Sequence, residues 1–407
     1  MKPFSTMDDY DFKGKTVLLR VDFNSPLDPK TKRILDDSRI RAHAATIREL
    51  SEKGAKTVIL AHQGRPGDPD FSTLEEHARI LAKILRKIPV RYVNDVFGEK
   101  AKNAVRQLKM GEVLVLENVR VFPGETEKKT VQEHAKSDLV TNLTPLGDVF
   151  VNDAFAAAHR AHASTVGFTP VLPTVAGRLM EKELDALERV TKATAKPCVY
   201  VLGGAKADDA AKISDYVLGQ GIADQVITGG VIANLFLQAE GRDLGAKNRN
   251  YLKEKELEQY VPPITEILKK YRGRTLLPED LAVEVGGKRR EIDVSRLPTD
   301  NPIFDIGSKS IAKYCDVIKG AKVIVLNGPM GVYENDEFLE GTKVVFEAIT
   351  KSKAFSVAGG GHTVAALEKL GLAQKISYVS SGGGALMEYL SGKKLPAVEA
   401  LQKAKKP

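Results

Sequence analysis

The stretch PCVYVLGGAKADDAAKISDYVLGQ (197–220) holds one complete unit of the fold. Cys198 to Leu202 is an unbroken apolar run, as in a strand covered on both faces. Gly203 and Gly204 stop it, and the residues from Ala207 onward carry a helical pattern. Strand, glycine turn and helix in that order form the repeat of a parallel sheet, whose neighbouring strands need a crossover between them.

The same unit recurs along the chain. TVLLRVDF (16–23), KTVILAH (56–62), EVLVLENVR (112–120) and GDVFVNDA (147–154) read as buried strands in the first half. ADQVITGG (223–230), KVIVLNGP (322–329) and AFSVAGGG (354–361) continue the series in the second. Helical patterns lie between them, as in DSRIRAHAATIRELSEKG (37–54) and STLEEHARILAKILRK (72–87). Ser72 with Glu75 fits a capping box, and Gly54 fits a helix stop. The fold class is therefore α/β, with mostly parallel sheets and helices on both faces. FTPVLPTVAG (168–177) interrupts the pattern, and RLMEKELDALERVTKA (178–193) follows as a long amphipathic helix able to join two lobes. No low-complexity linker separates them.

A length of 407 residues suits two or three domains, and 43% apolar residues suit a real core. Lys and Arg number 61 against 53 Asp and Glu, a net charge of +8. The excess favours anionic ligands, but no basic block of the kind found in nucleic-acid arms appears. Two cysteines, Cys198 and Cys315, make neither a disulfide framework nor a Cys-based zinc site. With no signal-peptide core in MKPFSTMDDYDFKGK and no apolar run of membrane-spanning length, a cytoplasmic location is expected.

In this fold class ligands gather beyond the carboxyl ends of the strands. The first half places Asp22, Asn24, His62, Gln63, Gly64, Arg65, Arg120 and Arg160 there, with Arg39 at a helix start. A guanidinium grips phosphate or carboxylate by two points, so several on one rim predict a small, highly anionic ligand. Taken singly, each could be a surface arginine; Arg20, inside its strand run, could merely line a face. His159 and His162 could share a ligand, but Arg160 between them opposes a dication. Anion binding by Arg160 is the stronger reading there, and a structural histidine stays open for either ring. The second half offers Gly203-Gly204-Ala205-Lys206, Gly229-Gly230, Asn327-Gly328 and Gly359-Gly360-Gly361-His362-Thr363. Glycine loops opening helices suit nucleotide phosphates. Neither GxxxxGK[ST] nor GxGxxG is present: Gly14-Lys15-Thr16 lacks the earlier glycine, and Arg289 follows Gly287-Lys288.

The strings RVDFNSP (20–26), HQGRP (62–66), LENVRVFPGE (116–125), VNDAFAAAHRAHAS (151–164), LMEKEL (179–184), VLGGAK (201–206), VLNGPMGVYE (325–334), AGGGHT (358–363) and SGGGALMEYLSGKKLPAVEAL (381–401) resemble phosphoglycerate kinases from end to end, and the archaeal branch in GGGHT. The resemblance implies two Rossmann-like three-layer α/β/α lobes separated by a cleft. Residues 1–175 would bind 3-phosphoglycerate or 1,3-bisphosphoglycerate, joined by a returning segment 392–407. Residues 176–391, with the connecting helix 178–193, would bind MgATP or MgADP. Asp22, Asn24, Arg39, His62, Gln63, Gly64, Arg65, Arg120 and Arg160 would contact the acid. Gly203, Gly204, Lys206, Lys212, Asn327, Glu334, Gly360, Gly361, His362 and Thr363 would contact the nucleotide. Arg39 and Lys206 would be catalytic, approaching the transferred group from opposite lobes. Lobe closure with hinges at 178–193 and 380–384, a glycolytic and gluconeogenic role, and a monomer with a homodimer left open complete what it implies.

Two positions depart from the family pattern. His362 stands where many members have an Asp that helps to hold magnesium, so the protein group for Mg2+ is unknown; Asp209 is one carboxylate nearby in sequence. Lys212 follows Lys206 by six residues, with Ala210 at the usual spacing of four. A kinase for another anionic acid and an anion- or nucleic-acid-binding module are the rival readings. The second would need a basic stripe with exposed aromatics, and tryptophan is absent.

Overall fold

The computed structural model describes residues 2–192 and 194–405. Ala193, the last residue of the expected connecting helix, and Lys406 and Pro407 of the expected returning segment lie outside them. The chain forms two compact units, Met1–Leu184 with Lys394–Pro407, and Asp185–Lys393. The sequence places the first division at 175/176 and the return at 392. In the structure the strand Thr174–Ala176 and the first turns of the connecting helix, Arg178–Lys192, stay with the first unit.

The first unit is built on β1 (Thr16–Arg20), β2 (Lys56–Leu60), β3 (Val90–Tyr92), β4 (Val113–Val115), β5 (Val149–Asn152) and β6 (Thr174–Ala176). They form one sheet in the order β3-β4-β2-β1-β5-β6, every pair parallel. Alternate residues feed two cores. Val17, Leu19, Ile59 and Val151 pack with Ile40, Ile47 and Leu81 from helices on one face. Leu18, Val58, Leu60 and Phe150 pack with Val105, Leu139 and Val140 on the other. Burial on both faces is why these strands read as unbroken apolar runs. The helix Pro396–Ala404 returns to this unit, with the Ala397 amide donating to Ala158 O at 3.1 Å.

The second unit holds β7 (Cys198–Leu202), β8 (Gln225–Thr228), β9 (Thr275–Leu276), β10 (Asp280–Val285), β11 (Lys288–Asp293), β12 (Ile303–Ile306), β13 (Val323–Asn327), β14 (Phe355–Ala358) and β15 (Tyr378–Val379). Its main sheet runs β15-β14-β13-β7-β8-β9, again parallel throughout. A small antiparallel sheet, β11-β10-β12, stands apart from it.

Of two local expectations, one changes. Gly54 does end the helix Ser38–Glu52, at φ +76°. The helix expected from Ser72 begins at Glu75, without a side-chain cap. The Leu74 amide instead donates to Glu117 at 3.0 Å, a partner far away in sequence. The alanines after Asp153 form only a single tight turn, Phe155–Ala157.

Candidate functional site

Four adjacent strands of the first unit, β4, β2, β1 and β5, end beside one another and release the loops that carry the predicted anion ligands. Hydrogen bonds tie these loops together. Asn24 Oδ1 accepts from the Gly64 amide at 2.7 Å, and the buried Arg120 guanidinium donates to Gly64 O. Arg39, at the start of its helix, pairs with the buried Asp22 carboxylate. Arg65 is exposed on the same loop. Gln63 is fully buried: its carbonyl accepts from the Ser25 amide at 2.8 Å, and its amide donates to Ser25 O and Asp70 O. Its side chain thus braces the loop from within.

Arg20 proves to be the support of this rim. It is buried, donating from Nε to Ser164 Oγ at 2.8 Å and from Nη1 to Val21 O. Its Nη2 lies 3.0 Å from His62 Nδ1. A guanidinium only donates, so Nδ1 accepts and the proton of a neutral His62 ring sits on Nε2. The ring is neutral, because burial and the charges of Arg20, Arg120 and Arg160 hold its pKa well below the usual value. His62 is therefore an uncharged donor through Nε2. Glu125 completes the support, with Oε1 accepting from Ser164 Oγ at 2.6 Å; burial pushes its carboxyl up against the pull of Arg20.

The rim is electrostatically frustrated. Burial, Arg160 and Arg20 push the Arg120 guanidinium down to about 10, only partly offset by Glu125. Burial and the same arginines push His162 down to about 3. Cations that depress one another in a partly buried setting raise the energy of the empty site, and a polyanion relieves that repulsion. His162 also has a structural task, capping the helix Ala163–Val166 through reciprocal hydrogen bonds with Thr165. His159 Nε2 accepts from Arg160 Nε at 3.1 Å.

In the second unit, β7, β13 and β14 are neighbours and release the glycine loops. Some of those glycines serve packing. The Gly203 and Gly204 amides donate to Asn327 O and Pro329 O at 2.7 and 2.8 Å. A Cβ on Gly203 would stand 2.2 Å from Pro329 O, and Gly328 has φ +94°. Asn327 donates to Met387 Sδ, and the buried Thr363 hydroxyl accepts from the Gly328 amide at 2.7 Å. Beside these loops lies a cavity of about 270 Å³, with Gly204, Gly230, Ile303, Phe304, Met330, Val332 and Tyr333 among its walls. Glu334 and His362 also line it; both are exposed, with Glu334 Oε1 3.8 Å from His362 Nδ1. Lys206 is exposed at the N-terminus of the helix Ala207–Gly219, and Gly360 and Gly361 open the helix Gly361–Lys369. Two helix N-termini with free amides suit phosphate oxygens.

Lys212 is not brought to this cavity. It pairs with Asp208 at 2.6 Å, one helical turn away, and lines a separate hollow with Tyr260 and Ile267. Conversely, Asn234 belongs to no motif singled out above. Its Oδ1 is buried in the cavity region and has no hydrogen-bond partner among the described residues. A helix-borne Asn after Gly229-Gly230 was the available signal. Asp209 is half-buried, and its carboxyl is pushed up by that burial.

Known proteins agree with this architecture. The family model described as phosphoglycerate kinase matches residues 7–393. A phosphoglycerate kinase of Methanothermus fervidus is 46% identical over 406 residues, covering 100% of this chain and 98% of that protein. One from Thermoplasma acidophilum is 43% identical over 408 residues, covering 100% and 99%. The crystal structure of phosphoglycerate kinase from Pyrococcus horikoshii OT3 superposes with a TM-score of 0.89 at 44% identity, covering 98% of this chain and 99% of that one. On this evidence the chain belongs to the phosphoglycerate kinase family.

Proposed function

We propose that the chain transfers a phosphoryl group reversibly between 1,3-bisphosphoglycerate and ADP, giving 3-phosphoglycerate and ATP, within glycolysis and gluconeogenesis. The observation that carries the substrate reading is the frustrated rim: burial, Arg160 and Arg20 hold the Arg120 guanidinium down, and burial, the same cations and Arg120 keep His62 neutral, in a partly buried site. A three-carbon acid bearing phosphate supplies the missing negative charge.

The chemistry follows from the groups present. The acceptor carboxylate of 3-phosphoglycerate and the terminal phosphate of ADP are both ionised near neutrality, so neither needs a general base. Rate then comes from positioning and charge stabilisation. Arg65, Arg120, Arg160 and the Nε2–H of His62 grip the acid. Arg39, held by Asp22, stands ready to exchange that partner for the transferring group. Lys206 and the amides of Gly360 to Thr363 face the nucleotide phosphates, and Glu334 faces the ribose hydroxyls. Transfer requires the two units to close over their ligands and exclude water.

Magnesium fits this donor set in its usual manner. Mg2+ commonly takes one or two carboxylates, nucleotide oxygens and water. Asp209, on the first turn after Lys206, is the carboxylate that would hold it. The ion would neutralise charge between adjacent phosphates. The natural setting of these small-molecule reactants is the cytoplasm, and among the described residues no helix is long and apolar enough to cross a membrane. The monomer is the proposed working form. A coupled assay of ATP consumption tests the reading: 3-phosphoglycerate should support turnover and glycerate should not. Equal turnover with an unphosphorylated acid would refute it.

A further inference from the structure

His43 belongs to no predicted ligand set, yet it touches the backbone that carries one. It lies in the helix Ser38–Glu52, four residues after Arg39, and its ring is buried. Nε2 lies 3.0 Å from the Asp22 amide nitrogen, and Nδ1 lies 2.8 Å from Asp153 Oδ2. An amide only donates, so Nε2 accepts and the ring proton stands on Nδ1, donated to Asp153. Asp153 is fully buried, and its Oδ1 accepts from the amides of Leu179 at 2.8 Å and Met180 at 3.2 Å. Those amides are the first turn of the connecting helix. At the other end, the Asp22 carboxylate pairs with Arg39 and accepts from the Asn24 amide at 3.2 Å.

An unbroken line of hydrogen bonds thus joins Arg39 to the connecting helix, and its inner members Asp22, His43 and Asp153 are 4%, 1% and 0% exposed. The helix is also the segment in which the chain passes from the first unit to the second, since the division falls after Leu184. We infer that His43 is a positioning residue linking the state of the Asp22–Arg39 pair to the seat of the connecting helix. The inference rests on the phosphoglycerate reading above. An anion arriving at Arg39 competes with Asp22 for the guanidinium, and Asp22 shifts in response. Both ring nitrogens of His43 are engaged in a close-packed interior, with Phe23 edge-on at 6.0 Å, so the movement has nowhere to dissipate. It reaches Asp153, whose side chain caps the Leu179 and Met180 amides. The bland alternative is that His43 only stabilises the core.

Hydrogen exchange on the full chain separates the two. Calorimetry in the same buffer first establishes whether 3-phosphoglycerate binds; without binding, the ligand reading falls and the link falls with it. Saturating 3-phosphoglycerate is expected to slow exchange at Leu179 and Met180 by about threefold or more in the wild type. His43→Leu, which cuts both bonds, should bind the ligand but lose that response. His43→Gln, whose carboxamide keeps one acceptor and one donor, should restore it. His43→Leu should also lower kcat and raise KM for 3-phosphoglycerate by about tenfold together, with KM for ATP unchanged. Binding with no protection at 179–180 in the wild type overturns the link, and that arm decides even if His43→Leu does not fold. Protection that persists in His43→Leu, or a lowered Tm with unchanged kinetic constants, overturns it as well.

Discussion

Replacing Arg120 by Met should weaken substrate binding without weakening the fold. The guanidinium is buried, and that burial together with repulsion from Arg160 and Arg20 pushes it well below its ordinary value, to about 10. Because the folded state disfavours the charged form, that depression opposes folding at every pH below it. At about 1.4 kcal/mol per pKa unit, it corresponds to roughly 3 kcal/mol. Its Nε is buried without a partner among the described residues, which adds to the cost. Met keeps the apolar stem and removes the charge. It also strips Gly64 O of its donor, a loss of about 1–3 kcal/mol. The net change in ligand-free stability should lie between about zero and 2 kcal/mol in favour of the variant, as when buried charges give way to apolar groups. Affinity for 3-phosphoglycerate should fall roughly 10- to 100-fold, the worth of a charged hydrogen bond. Urea unfolding of the ligand-free protein and calorimetric titration measure the two quantities. A variant destabilised by more than about 2 kcal/mol, with unchanged affinity, would make Arg120 a structural residue and refute the reasoning.

The remaining predictions concern other parts of the two sites. The unfolded chain protonates His162 near 6.5 while the fold withholds that proton to about 3. Stability from a neutral His162 is therefore lost as pH falls, and wild type should lose about 1.4 kcal/mol per pH unit relative to His162→Gln below pH 6. Parallel urea midpoints of the two proteins across pH 6 to 4 would contradict this. Asn234→Leu removes a buried, unpartnered oxygen, so thermal stability should hold or rise while KM for ATP rises and KM for 3-phosphoglycerate does not. A Tm drop with unchanged KM for ATP would count against it. Lys206→Ala should cost about 3–4 kcal/mol in the barrier, a fall in kcat of roughly 10²- to 10³-fold, with 3-phosphoglycerate affinity intact. Unchanged kcat would remove Lys206 from the transfer step.

The parallel cores were legible because both faces of each sheet are buried, so Leu18 and Leu19 both had to be apolar although they feed opposite layers. The antiparallel ribbon was not. Lys288–Asp293 reads as a charged surface run, and it pairs with β10 from the outside of the molecule's second unit. Its signal was Gly286-Gly287, at φ +58° and +79°, which makes the two-residue turn between Val285 and Lys288. Strands as short as Val90–Tyr92 carry too few residues for a period to show.

For the site, arginines at strand ends were visible from spacing, since topology sets neighbouring strand ends side by side. Their supports were not. Glu125 and Ser164 meet Arg20 only through the tertiary fold, and so does Gln63 meet Ser25. Lys212, already off the usual spacing after Lys206, lies one helical turn from Asp208 and pairs with it, a contact that the resemblance alone does not show. Asp153 follows its strand directly, and the helix it caps begins a full loop later, at Arg178.

The central claim is that the guanidinium rim of the first unit is the seat of phosphoglycerate. A crystal structure of the protein with 3-phosphoglycerate and MgADP measures this most directly. The phosphate and carboxylate of the acid should lie within hydrogen-bonding distance of Arg65, Arg120, Arg160 and His62 Nε2, with ADP against Glu334 and the helix beginning at Gly361. An acid bound elsewhere, with those four side chains turned to solvent, would contradict it.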